Sequence, residues 1–130
     1  DRAAILLRGQ VMMMRLYSKN TSKTLVPKLE VASTLWTRTK GLIGTASLPA
    51  DQALWIHRCN SIDTFFMKFA IDLVFVDNKM VVRKTMSTVK PNRLVLPVIR
   101  ATSVIEFPAG FLDLNPISVG EQLHVDHPLS

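Results

Sequence analysis

Residues 71–85 read Ile-Asp-Leu-Val-Phe-Val-Asp-Asn-Lys-Met-Val-Val-Arg-Lys-Thr, and this stretch decides the fold class. Ile71 to Val76 is almost continuously apolar and rich in β-branched residues, the signature of a central strand buried on both faces. Asp77-Asn78 supplies turn chemistry, so Lys79 to Thr85 is expected to return antiparallel as the second arm of a hairpin.

Outward from the hairpin the pattern stays β. Ala53 to His57 reads as a strand upstream, and Thr102 to Phe107 as one downstream, broken by Pro108-Ala109-Gly110. Pro91 and Pro97 punctuate a meandering connection. Phe111 to Asn115 has room for one helical turn, and Val119-Gly120-Glu121 turns into a last strand, Gln122 to Val125. Nearer the N-terminus, Arg15 to Ser18 alternates apolar and polar side chains, and Thr24 to Val31 is a second strand. Pro27 removes a ladder donor, which places that strand at an edge or gives it a bulge. Ser33 offers an N-cap, and Leu35, Thr39, Leu42 and Ile43 share one helical face ending at Gly44. Leu48 to Asp51 is loop. Short strands at regular spacing with one good helix predict a mostly β fold: a compact antiparallel β-sandwich or small barrel with one or two short helices.

A chain of 130 residues, 48% of them apolar, closes one hydrophobic core. The expected organisation is an extraneous or disordered tail over residues 1–13, one β-rich domain over 14–126, and a short tail over 127–130. No run reaches the roughly 20 apolar residues of a membrane-spanning helix, so the domain is expected to be soluble or at most peripheral. Cys59 is the single cysteine and forms no intrachain disulfide. That leaves both a cytoplasmic and an exported location open. The net charge is +6, and no acid interrupts Lys79, Arg83, Lys84, Lys90, Arg93 and Arg100 between Asp77 and Glu106. A nucleic-acid face over 79–100 is one reading of that window. The solvated side of ordinary strands is the preferred one, because no aromatic residue interleaves with the cations as a base-stacking platform requires.

The densest set of reactive side chains is His57 to Thr64. On a continuous strand His57 and Cys59 would share a face, and an imidazolium lowers a thiol pKa. A buried structural cysteine is the default. Cys59, His57, His124 and His127 lack zinc-site spacing, so no metal is expected. No G-x-S-x-G elbow, G-x-G-x-x-G turn or Walker loop occurs, so neither a catalytic serine nor a nucleotide cofactor is supported. Asp72 and Asp77 should face opposite sides of an extended strand. Asp72, set among Ile71, Leu73, Val74 and Phe75, needs hydrogen-bond partners to be tolerated, and Thr64 or Lys68 are candidates. At β spacing Phe65, Met67 and Phe69 share one face and Phe66 and Lys68 the other. Core packing is the default for these rings, and a binding groove the sharper alternative.

A family resemblance emerges from ordered blocks. Arg38-Thr39-Lys40-Gly41-Leu42-Ile43-Gly44 with Leu48-Pro49, then Cys59 through Asp77, then Val104 to Gly110, then Val119-Gly120-Glu121, together resemble the widespread bacterial family called domain of unknown function 192. The resemblance spans roughly Arg15 to Val125 and implies a compact β-rich fold with a short helix. It implies no activity. This chain departs from the family's usual Trp-Met-Lys-Asn-Thr, having Phe66-Met67-Lys68-Phe69-Ala70, and has Asp63 where many relatives carry histidine. Three functional classes stay open. The favoured one is a non-enzymatic binding or accessory module using Asn60, Ser61, Asp63, Thr64, Phe66, Lys68 and Asp72. The others are a hydrolase or transferase using Cys59, Asp63 or Asp72, and a nucleic-acid binder through 79–100. The sequence names no partner.

Overall fold

The computed structural model describes residues 13–32, 48–57, 59–64 and 67–126. The elements are β1 (Met13–Ser18), β2 (Thr24–Ala32), β3 (Gln52–His57), β4 (Ile62–Asp63), β5 (Ile71–Val76), β6 (Val82–Val89), β7 (Leu94–Val95), β8 (Ser103–Pro108), α1 (Phe111–Leu114) and β9 (Leu123–Asp126). The helix expected from Ser33 to Gly44, the tail expected over 1–13 apart from Met13, which opens β1, and Phe65 and Phe66 lie outside the described residues. So does the C-terminal tail.

Seven strands form one sheet in the order β6-β5-β8-β3-β2-β1-β9, and β4 pairs with β7 as a small second sheet. The mostly β expectation holds, with one short helix among the described residues. A sandwich would need two facing large sheets. Here one large sheet curls into a half-barrel. Its edge strands, β6 and β9, are drawn together at a bridge between Val81 and Gln122. Val82 N–H donates to Glu121 O (2.9 Å) and Leu123 N–H to Met80 O (2.9 Å) across that seam. The expectation of wholly antiparallel pairing is also corrected, because β2 and β3 run parallel from Lys28↔Gln52 to Ala32↔Ile56. A parallel neighbour needs a crossover, and residues 33–51 lie between the two strands.

Strand periodicity divides the buried residues into two layers. Met14, Leu16, Val26, Leu29, Val74, Ile105, Phe107 and Leu123 belong to one cluster with Phe111, Leu112 and Ile117. β1, β2 and β9 bury side chains only here, so this is the inner face of the curl. Leu54, Ile56, Leu73, Phe75 and Val104 form the outer cluster, covered by Ile62, Met67, Val95, Val98 and Ala101. Every residue of β5 is buried, as its unbroken apolar run requires.

Local details follow from residue chemistry. Pro27 sits where the β1–β2 register slips, between Leu16↔Val26 and Met14↔Leu29, and just before the β2–β3 pairing begins. Its missing N–H therefore costs no ladder bond. Gly110 at φ +90° makes the left-handed turn into α1 without steric penalty. The hairpin loop is longer than expected. Asp77 pairs with Val81, Met80 stands at φ +63°, and β6 starts only at Val82. The β spacing considered for Met67, Lys68 and Phe69 does not apply, because residues 67–70 are not strand and Met67 N–H folds back onto Thr64 O (3.2 Å). Met67 is buried and Phe69 packs half-buried against the outer cluster.

Candidate binding cleft at Trp55

On β3, Ala53, Trp55 and His57 alternate onto the inner face, with the smallest side chain in the core and the larger ones toward the rim. The indole of Trp55 lies 4.1 Å from the His57 ring, tilted by 53°. Its Nε1–H donates to Ser103 Oγ on the neighbouring β8 (2.9 Å), which fixes the ring plane. Two adjoining clefts share Trp55 and Met80 as a common wall. One, of about 250 Å³, adds His57, Asp77, Asn78, Thr102 and Ser103. The other, of about 300 Å³, adds Lys19, Lys79, Gln122, His124 and Asp126 among its polar members. The seam between β6 and β9 creates this space, since the hairpin loop and the start of β9 meet there without strand-length pairing.

The polar groups around the clefts are held in place. Gln122 donates from Nε2 to Lys79 O (2.6 Å) and Leu123 O (2.9 Å). Arg15 grips Asp126 at 2.8 and 3.2 Å and lies 5.2 Å from the centre of the Tyr17 ring, which contacts His124. Asp77 accepts from the Lys79 amide (2.8 Å), the Val81 amide (3.0 Å) and the Arg83 guanidinium (2.6 Å). Burial pushes the Asp77 carboxyl up, but the two amides and the Arg83 charge together outweigh it and hold the group below the usual carboxylate range. A lowered folded pKa means that the unfolded chain binds more protons, so this stability is present above the unfolded pKa and lost as pH falls through the folded one. Asp77→Asn is expected to cost about 1–2 kcal/mol at neutral pH. Urea titrations of both proteins should show the gap closing in acid. Glu30, raised by burial alone, contributes with the opposite sign and cancels in the difference. A gap that stays constant from pH 7 to pH 3 would contradict the assignment.

The residues singled out from sequence are dispersed. Asp72 is buried on the inner face, and its partners are neither Thr64 nor Lys68. Oδ1 accepts from Thr88 N–H (2.8 Å) and Oδ2 from Leu112 N–H (2.9 Å). Lys68 is solvent-exposed, and the Thr64 hydroxyl is occupied elsewhere, donating to Lys90 O (2.7 Å) and accepting from Arg93 N–H (2.9 Å). The backbone carbonyl of exposed Asn60 accepts from Val98 N–H (2.9 Å), and the backbone carbonyl of Ser61 accepts from the Cys59 thiol (2.7 Å). His57 and Cys59 do not share a strand face. β3 ends at His57, and Cys59 packs against the outer cluster. Asp63 lies in β4, opposite Leu94 of β7, and its side chain is outside what is described. Asp72 and Cys59 thus belong to opposite faces of the sheet. Among the described residues, no three His, Cys, Asp or Glu side chains gather as a metal would require.

Sequence reasoning passed over Trp55 as a site residue. Its signal was present. A tryptophan two residues from a histidine on an alternating strand places two amphipathic rings at one rim. Glu106, fully buried in β8 between Leu54 and Leu73, was also not singled out.

Among the described residues, one large curled sheet with one short helix, cleft at its seam, defines a small β-rich domain class rather than a chemistry. Residues 17–125 match the model of the DUF192 family, "Uncharacterized ACR", and the chain belongs to that family. No curated protein sequence matches the chain. Two crystal structures are similar in fold. One is a protein of Sinorhizobium meliloti 1021 provisionally described as a transcription regulator, 18% identical, with a TM-score of 0.70 over 86% of this chain and 91% of that one. The other is a protein of unknown function from Novosphingobium aromaticivorans DSM 12444, 17% identical, with a TM-score of 0.72 over 88% of this chain and 84% of that one.

Proposed function

We propose that the domain is a non-enzymatic binding module that holds a small, ring-bearing polar molecule against Trp55. The observation that carries this reading is the half-buried indole walling two adjoining clefts. With its N–H committed to Ser103, the ring offers its face, the surface on which sugars and planar metabolites stack. Asn78 and Thr102 on one side, and Lys19 and Lys79 on the other, supply donors that fix orientation. Catalysis by Cys59, Asp63 or Asp72 finds less support, because Cys59 and Asp72 lie on opposite faces and Asp72 already accepts two amides.

The test is a thermal-shift and tryptophan-fluorescence screen against mono- and disaccharides, nucleosides and aromatic metabolites. A ligand of the native state raises apparent stability by mass action. At least one class is expected to give a saturable upshift with a fluorescence change, and Trp55→Ala is expected to weaken it tenfold or more. A hit unaffected by Trp55→Ala, or a silent screen at millimolar concentrations, would overturn the reading.

A further inference from the structure

We propose that the segment from Lys90 to Arg100 docks this domain onto the surface of an anionic lipid bilayer. Three of the most exposed large apolar side chains among the described residues fall within six positions here: Leu94 is 66% exposed, Leu96 72% and Ile99 86%. Val95 and Val98 between them turn inward to the outer core, so the three exposed side chains are directed outward. Lys90, Arg93 and Arg100 are exposed in the same segment, and no acid occurs in the chain from residue 78 to 105. The nearest acid in the small sheet is Asp63, in register with Leu94.

The segment is fixed rather than merely extruded. Thr64 clasps it through its hydroxyl, and its N–H donates to Arg93 O (2.9 Å). Val95 pairs with Ile62, and Val98 N–H reaches Asn60 O. Ordering the loop in advance removes an entropic cost from binding. Arg100 itself stands at φ +70°, where glycine would be unstrained. Strain held at a cationic side chain argues that the side chain, not the turn, is what the position supplies.

The chemistry selects the occupant. Nucleic acid would use the cations but leave Leu94, Leu96 and Ile99 in contact with water or phosphate, and residues 79–100 contain no aromatic side chain to stack on bases. An anionic bilayer takes both halves, aliphatic side chains at the headgroup–acyl boundary and cations against headgroup phosphates. A groove of about 370 Å³ between the end of β6 and β7, lined by Thr88, Lys90, Arg93 and Leu94, is open to a headgroup phosphate at the same place. The proposed mode is peripheral docking; no described helix is long and apolar enough to cross a membrane. The docking segment covers the outer face of the sheet and the Trp55 cleft opens from the inner, so this inference stands independently of the ligand proposed for Trp55.

The experiment is co-sedimentation of the full chain with vesicles of phosphatidylcholine alone and of phosphatidylcholine with 30% phosphatidylglycerol, at low and physiological salt, alongside a duplex DNA oligomer. Binding is expected to the anionic vesicles, weakening with salt and by roughly fivefold for each cation removed in Arg93→Gln and Arg100→Gln. The triple variant Leu94→Ser, Leu96→Ser, Ile99→Ser should keep its melting temperature, because these side chains are exposed, and lose at least tenfold in vesicle binding. Arg100→Gly separates the role from stability, with an equal or higher melting temperature and weaker binding. Equal binding to both vesicle types, binding to neither, a triple variant that binds as wild type, or retention of DNA in place of vesicles would each overturn the proposal.

Discussion

Asp72→Ala is expected to lower the unfolding free energy by about 3 kcal/mol at neutral pH, because it strips the acceptor from two backbone amides at once. The carboxylate bridges segments far apart in sequence. Oδ1 holds Thr88 N–H in β6 and Oδ2 holds Leu112 N–H in the first turn of α1. Thr88 stands at φ +51° beside the break in the β5–β6 register between Ile71 and Leu73. The carboxylate therefore secures a bulge as well as a helix. The Leu112 amide is buried, and a buried donor left without an acceptor bears the full desolvation penalty, whereas the amide of exposed Thr88 loses its partner at smaller cost. Asp72→Asn keeps one acceptor oxygen and should cost roughly half as much. Equilibrium urea unfolding followed by circular dichroism measures both. An alanine variant with the wild-type midpoint would remove Asp72 from the structural frame.

Phe107→Ala is expected to cost about 3–5 kcal/mol, the range for deleting a fully buried aromatic ring. Phe107 is completely buried in β8, and its ring stacks on Phe111 with centroids 4.3 Å apart and planes at 12°. Four residues of helix have no stability of their own. α1 stays folded because Phe111 and Leu112 are buried and because Asp72 caps the Leu112 amide. Phe107→Leu, which keeps much of the volume, should cost far less. Asp72 and Phe107 are direct cross-strand partners, so the double variant should cost less than the two single changes added together, since either one already loosens α1. Additive losses would mean that α1 is held by something other than this pair. Hydrogen exchange at Leu112 gives the direct readout, with protection expected to fall in all three variants.

How much of the site was legible follows from the range of each interaction. Asp72 was identifiable as a carboxylate in need of partners, because its burial follows from its neighbours in one strand. Its partners were not identifiable. Thr88 and Leu112 lie 16 and 40 residues away and contribute backbone N–H groups, which every residue carries. Thr64 stood out by lying in a polar loop, but its work, fastening residues 90–93, depends on a pairing between β4 and β7 only two residues long. The basic window was plain in the sequence. That its aliphatic members Leu94, Leu96 and Ile99 face outward was not, because alternation along an irregular loop does not say which side meets the core.

The sequence by itself determined what short-range chemistry controls: strands where β-branched residues alternate or run together, an interruption of the strand at Pro27, chain reversals near Asp77 and Gly110, one helical turn after Gly110, and the family. The tertiary structure decided what depends on which distant strands meet. It set β2 parallel to β3, drew β6 and β9 together at Val81 and Gln122, and so opened the cleft beside Trp55. The physical reason is that strand pairing is made by backbone groups common to every residue, so periodicity fixes which side of a strand is buried while only the closed core fixes which strand lies beside it.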